Sequence, residues 1–199
     1  MLTVFTTGLL TGLALIVAVG AQNAFVLRQG LRGEHVVPVI AVCIASDVLA
    51  VTAGVAGLGV VLERWPVLLP VAQIGGGLYL LAFGVQSALR AWRPVGLDAA
   101  AGSTMSVRRA VLLTLALTWL NPHFYLDAVL MLGTVANSFE AQRWWFWAGA
   151  MLASAIWFPA LGFGARALRG LFARPSAWRA LDGSIAVLMG ALGVGLLVR

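Results

Sequence analysis

The chain contains no lysine, one cysteine, two histidines and few charges of any kind. Each scarcity excludes something. Without lysine, no glycine-rich loop can be a phosphate-binding P-loop, so ATP-driven pumping is not expected. The lone Cys43 lies in an apolar run and rules out an internal disulfide. His35 and His123 are far apart, and no Cys/His cluster exists, so no metal site is expected. No Ser/His/Asp set falls in a plausible catalytic frame, so the chain does not read as an enzyme, and no cofactor is called for. Charged residues make up 10% of the 199, against about 25% in soluble domains.

What is present is apolar. Hydrophobic residues reach 61% and the mean hydropathy is +0.97. A soluble core of this size could not bury so much apolar surface, so the composition predicts an integral membrane protein. All 13 basic residues are arginine, against 7 acids. A pI near 11.3 can suggest nucleic-acid binding. Here the arginines cluster between apolar runs, which points to the bilayer as partner and not to nucleic acid.

Six apolar runs follow in order, near Leu2–Leu27, His35–Leu62, Val67–Leu89, Ala110–Ala136, Trp144–Ala165 and Leu181–Val198. Each can span about 30 Å at about 1.5 Å per residue. The first could be taken for a signal peptide, but it lacks a basic n-region, since Arg28 is the first charge. Ten arginines fall on one side of the six runs: Arg28, Arg32, Arg90, Arg93, Arg108, Arg109, Arg166, Arg169, Arg174 and Arg179. Arg64, Arg143 and Arg199 fall on the other. The ten-arginine side is expected to be cytoplasmic, with both termini outside. Tryptophans flank the runs as interfacial anchors: Trp178 on the inner side, and Trp144, Trp145 and Trp147 on the outer.

The polar stretch Trp92–Val107, with Pro94, Gly96, Gly102, Ser103 and Thr104, is the one clear linker. It divides a single transmembrane domain, 1–199, into halves near 1–91 and 108–199. Three spans per half make any duplication inverted in the membrane. Gly20-Ala21-Gln22 corresponds to Asn121-Pro122-His123, Ala45-Ser46 and Gly54 to Ala153-Ser154 and Gly162, and Gly77 and Gly84 to Gly183 and Gly190. The expected fold is therefore all-α: six transmembrane helices as two inverted three-helix repeats, with helices 1 and 4 interrupted. The run Gly75-Gly76-Gly77 could pack within the protomer or against a second copy, as in a homodimer.

The fourth run carries Thr118-Trp119-Leu120-Asn121-Pro122-His123-Phe124-Tyr125-Leu126-Asp127. Pro122 cannot donate to the carbonyl of Thr118. In hydrocarbon, a freed carbonyl is tolerated only where it faces protein or a water-filled cavity. A broken helix lining a polar site is expected here, and a simple proline kink is the bland reading. Asp47 sits near the middle of run two, where a carboxylate costs about 2.5–3.5 kcal/mol. Its helical face is Cys43, Ala50, Gly54 and Gly57, small enough for close approach. Asp127 could be a second site carboxylate or a cap for the outer half-helix. His123 could accept a proton near neutral pH or simply bond a carbonyl. Gln22 and Asn23 could orient a substrate or glue helices together. Asp182 reads as the cap of run six, and Tyr79 and Tyr125 as packing residues.

The stretch Gly20-Ala21-Gln22-Asn23-Ala24-Phe25-Val26-Leu27-Arg28-Gln29-Gly30, then Ser46-Asp47, then Asn121-Pro122-His123-Phe124-Tyr125-Leu126-Asp127, resembles the lysine exporter (LysE) family over nearly the whole chain, in particular its basic amino-acid branch. The resemblance implies export of L-arginine or L-lysine across the bacterial inner membrane, driven by the electrochemical gradient. That family usually has proline where this chain has Ala21, so the first helix is expected to be less sharply broken than the fourth.

A cationic substrate also suits the residues themselves. Asp47 and Asp127 can give charge-assisted bonds to a guanidinium or ammonium. Gln22, Asn23, Asn121, His123 and the Thr118 carbonyl are expected to help. The half-helix N-terminus near Pro122–Phe124 would hold the substrate carboxylate. Gly20, Ala21 and Pro122 would shape the breaks, and Asp47 and His123 are candidates for coupling to protons or another ion. An inorganic cation exporter or channel using the same acids is the alternative, and a membrane scaffold a third reading.

Overall fold

The computed structural model describes residues 1–17, 20–58, 68–92 and 105–198. Arg64, Arg93, Arg199 and nearly all of the polar linker, including Pro94, Gly96, Gly102, Ser103 and Thr104, lie outside the described residues.

The described residues are helical, without a strand among them. The helices are α1 (Leu2–Ile16), α2 (Ala21–Arg32), α3 (Val36–Ala53), α4 (Leu68–Trp92), α5 (Val107–Trp119), α6 (residues 122–137), α7 (Arg143–Gly164) and α8 (Pro175–Leu197). Beyond α3 the chain kinks at Gly57, whose φ is 95°, and α6 contains a π-helical stretch, Tyr125–Met131. Val36–Gly57, Glu140–Phe172 and Pro175–Gly195 are each long and apolar enough to cross a membrane. The bent pair α1–α2 qualifies as a fourth. Leu10, Leu49, Leu78, Val85, Leu112 and Val187 are exposed on the outside of the bundle, as a lipid-facing surface requires.

The local signals are readable. α2 ends at Gly33, whose φ of 72° is open to glycine at little steric cost. α5 begins at Ser106, whose hydroxyl accepts the Arg109 N–H at 3.3 Å. Pro175 opens α8, where its missing N–H is harmless. α8 thus begins six residues before the apolar run at Leu181, and Asp182 lies inside it. The expectation that Asp182 caps this helix is corrected.

Small residues set the packing. α1 and α7 run parallel, with Gly8 against Phe146 and Gly12 against Ala150 and Ala153. α2 continues in the same sense, Asn23 meeting Trp157 and Gly30 meeting Gly162. α3 is antiparallel to α7, pairing Asp47 with Ser154 and Thr52 with Trp147. α3 is parallel to α5 and α6, through His35–Met105, Ser46–Trp119 and Gly54–Val129. α4 packs antiparallel on α8, Gly77 by Gly193 and Leu197, Gly84 by Ala186 and Gly190. Gly77 is therefore spent inside the protomer, whereas Gly75 meets no heavy atom within 4 Å.

A methyl at Gly149 would overlap the Phe5 carbonyl and stand 2.7 Å from the Leu9 nitrogen. Both are backbone atoms that cannot swing aside. We expect Gly149→Ala to cost about 1–3 kcal/mol of stability, read as a lower unfolding midpoint in detergent. Gly164→Ala, with open space around it, should leave the midpoint unchanged or slightly raised.

Both breaks are present. α1 and α2 are separated by four residues and bent by 81°, whereas only Leu120 and Asn121 separate α5 from α6. Gly20 is extended (φ −116°, ψ 178°), so the first break does not need proline at position 21. Conversely, α7 passes through Pro159 without interruption.

Candidate functional site

The two breaks converge on a cavity of about 160 Å³. Half-helix ends carry backbone groups without intrahelical partners, and the chain supplies partners for several. Asn23 donates to the Ile16 carbonyl at the end of α1, at 2.7 Å. It also accepts from the Trp157 indole at 3.3 Å. At the second break, Asn121 Oδ1 accepts the His123 backbone N–H at 3.1 Å. The Tyr125 hydroxyl donates to the Trp119 carbonyl at 2.8 Å. The N-terminus of α2 differs: no side chain caps it.

Of the residues singled out from the sequence, Gly20, Gln22, Asn23, Asp47, Asn121, His123 and Asp127 line this cavity. Asp47 is only 8% exposed. Its carboxylate accepts from the Ser154 hydroxyl at 2.5 Å. Asp127 is half-buried, one helical turn beyond His123, so both side chains share a face. His123 Nδ1 is buried without a hydrogen-bond partner, and Gln22 Nε2 has none beyond the Cys43 thiol, a weak acceptor. A buried donor or acceptor left unmade costs about 1–3 kcal/mol, so these groups are poised for an incoming partner.

Two sequence expectations fall outside the cavity. Thr118 is fully buried and does not line it. Its hydroxyl donates to the Thr114 carbonyl at 2.8 Å, and its own carbonyl accepts the Asn121 N–H at 3.3 Å. The carbonyl expected to be freed by Pro122 is therefore taken by the tightened last turn, which is a correction. Ala21 is buried against Leu80, Leu117, Ile185 and Met189 and likewise does not line the cavity.

Sequence reasoning missed Ser154 as the partner of Asp47. Its signal was its match to Ser46 across the two halves. Phe124, Phe158, Met151 and Met189, which form apolar walls, carry no sequence signal beyond hydrophobicity. Ser154→Ala should leave Asp47 without its donor and weaken ligand binding at the cavity about tenfold. Ser154→Thr should stay near wild type; equilibrium titration in detergent distinguishes them.

Among the described residues, the cavity lining includes two carboxylates and no arginine. Among the described residues, no three His, Cys, Asp or Glu side chains gather as a metal site would need. Residues 13–199 match the family model described as LysE type translocator. The chain belongs to the LysE family. Within reach of this LysE-family chain is a protein of Mycobacterium tuberculosis named as a candidate amino-acid transporter. The two are 42% identical over 186 residues, covering 94% of this chain and 92% of the relative. The lysine exporter LysE of Corynebacterium efficiens is 36% identical over 224 residues, covering 98% of both chains. The lysine exporter LysE of Corynebacterium glutamicum is 35% identical over 229 residues, again 98% of both. No solved structure matches the chain. As a LysE-family translocator with apolar bundle helices, it is a multi-pass membrane protein.

Proposed function

We propose that this protein exports basic L-amino acids, arginine or lysine, from the bacterial cytoplasm across the inner membrane. The observation that carries the reading is the charge of the cavity: Asp47 and Asp127 line it, and among the described residues no arginine does. A carboxylate at membrane depth needs a partner. Ser154 supplies only a hydroxyl to Asp47. A substrate guanidinium or ammonium would supply the charge and form charge-assisted bonds. The relatives named lysine exporters support the same substrate class.

The substrate carboxylate is assigned to the N-terminus of α2. That end has no side-chain cap, its positive dipole end favours an anion, and Gly20 and Gln22 bring it to the cavity wall. Gln22 Nε2, buried with only the weak Cys43 thiol beside it, is a further donor. The end near Pro122–Phe124 is less suited, because Asn121 already occupies the His123 N–H. Asn23 and Asn121 act by holding the half-helix ends, and His123 offers a free ring nitrogen for substrate or proton.

Transport would proceed by alternating access between two inverted halves, near 1–91 and 108–199, each of three spans. The packing pattern supports this. Exchanging spans one and four, two and five, and three and six carries the parallel α1–α7 contact onto the parallel α5–α3 contact. The same exchange carries the antiparallel α3–α7 and α4–α8 contacts onto themselves. The arginine-rich ends would face the cytoplasm with both termini outside. Proton entry from outside onto Asp47 or His123 would weaken the hold on the cation and release it, coupling export to the proton-motive force.

Counterflow in proteoliposomes preloaded with arginine tests the reading. Labelled arginine or lysine should enter saturably and compete with one another. Transport of sodium or cadmium without any amino-acid counterflow would favour the inorganic-cation alternative and overturn the proposal.

A further inference from the structure

A second cavity, of about 470 Å³, lies between α2, α4 and α5 and shares no lining residue with the first. Its charge is opposite. Arg28, Arg32, Arg90 and Arg109 line it, and among the described residues no carboxylate does. Asp182 pairs with Arg28 and Arg90. Among the described residues, Arg32 and Arg109 have no acid partner. Gln29, 2% exposed, also lines the cavity. Its Oε1 has no partner, and its Nε2 reaches only the Met105 sulfur at 3.9 Å. An amide so placed can turn over to present its nitrogen to an anion.

Polarity is graded along all three walls. On α2, Arg32, Gln29 and Arg28 give way to Phe25; on α4, Arg90 gives way to Phe83; on α5, Arg109 gives way to Leu113 and Leu117. The cavity is thus cationic at one end and apolar at the other. Among the described residues, the helices α4 and α5 that wall it are scarcely packed against each other. Leu112 of α5 and Val85 and Leu89 of α4 are exposed on the adjoining surface.

We propose that this cavity binds the phosphate of an acidic phospholipid, with the headgroup on the four arginines and an acyl chain along the apolar wall. The planar guanidinium matches phosphate geometry bidentately. Basic pockets between membrane helices are suited to such headgroups. A free phosphate has the same charge chemistry but no use for the apolar half, and that difference assigns the source.

The test uses the full-length protein purified in detergent. Phosphatidylglycerol, phosphatidylcholine or inorganic phosphate is added. Bound lipid is read by native mass spectrometry and stability by the unfolding midpoint. Wild type should retain phosphatidylglycerol over phosphatidylcholine and be stabilised by it. Arg32→Gln with Arg109→Gln should weaken that retention about thirtyfold, at about tenfold per 1.4 kcal/mol and about 1 kcal/mol per arginine. Arg32→Lys with Arg109→Lys should restore most of it. If the double variant does not fold, Arg109→Gln alone, at an exposed position, should give about a fivefold loss on the same scale. Equal retention of the two lipids by wild type, or retention unchanged by the glutamine variants, would overturn the proposal. Stabilisation by phosphate with none by phosphatidylglycerol would reassign the site to a soluble anion.

Discussion

Asp47→Asn should abolish arginine and lysine counterflow while leaving the protein folded. The carboxylate lies at membrane depth, 8% exposed, and among the described residues its hydrogen-bond donor is the Ser154 hydroxyl. Asparagine keeps the shape and can still accept from Ser154, so the helix contact between α3 and α7 should survive. What disappears is the negative charge. Removing one member of a buried charge pair costs about 2–5 kcal/mol, which is about 30-fold to more than 1,000-fold in affinity. Counterflow into arginine-loaded proteoliposomes measures the loss, and an unchanged unfolding midpoint shows it is not a folding defect. Asp127→Asn should have a smaller effect, because that half-buried side chain has more water to share its charge.

The largest effect on stability is expected at Asp182, which does not line the Asp47 cavity. Its side chain is 4% exposed and pairs with Arg28, 20% exposed, and with Arg90 at 3.4 Å. These contacts join three helices, α2, α4 and α8. The Arg28 guanidinium also lies 5.3 Å from the Trp178 ring centroid, so its position is fixed from two sides. Asp182→Asn would leave a largely buried guanidinium without its carboxylate, at a cost of about 3 kcal/mol. Arg28→Gln combined with Asp182→Asn should recover part of the loss, because no unpaired charge remains. Thermal unfolding of the two variants in detergent checks both statements.

Much of the transport cavity was legible in the chain. A carboxylate at the centre of an apolar run is costly enough to announce itself, and Asp47 did. Asn-Pro-His within another run marked the second break. Proline alone was a poor guide to where a helix breaks. Gly20 adopts an extended conformation and opens the first break widely, with alanine following. Pro159 sits within an unbroken helix. Asn121 secures the second break by bonding the His123 N–H.

Asp182 was misread for a different reason. Hydropathy begins at Leu181, but the helix begins at Pro175, so a residue about two turns inside resembled a cap. Its partner Arg28 is distant in sequence, and no local pattern shows such a pair. The Thr118 carbonyl was misjudged because a missing i→i+4 donor was taken as a free acceptor. A tightened turn ending on the Asn121 N–H fills it instead.

The most direct measurement is a structure of the protein with bound L-arginine. The guanidinium should lie within hydrogen-bond distance of Asp47, with the carboxylate on the amides that open α2 and on Gln22. Arginine bound with its carboxylate near Pro122 would reverse the assigned orientation. Arginine absent from this cavity, or bound without contact to Asp47, would contradict the account.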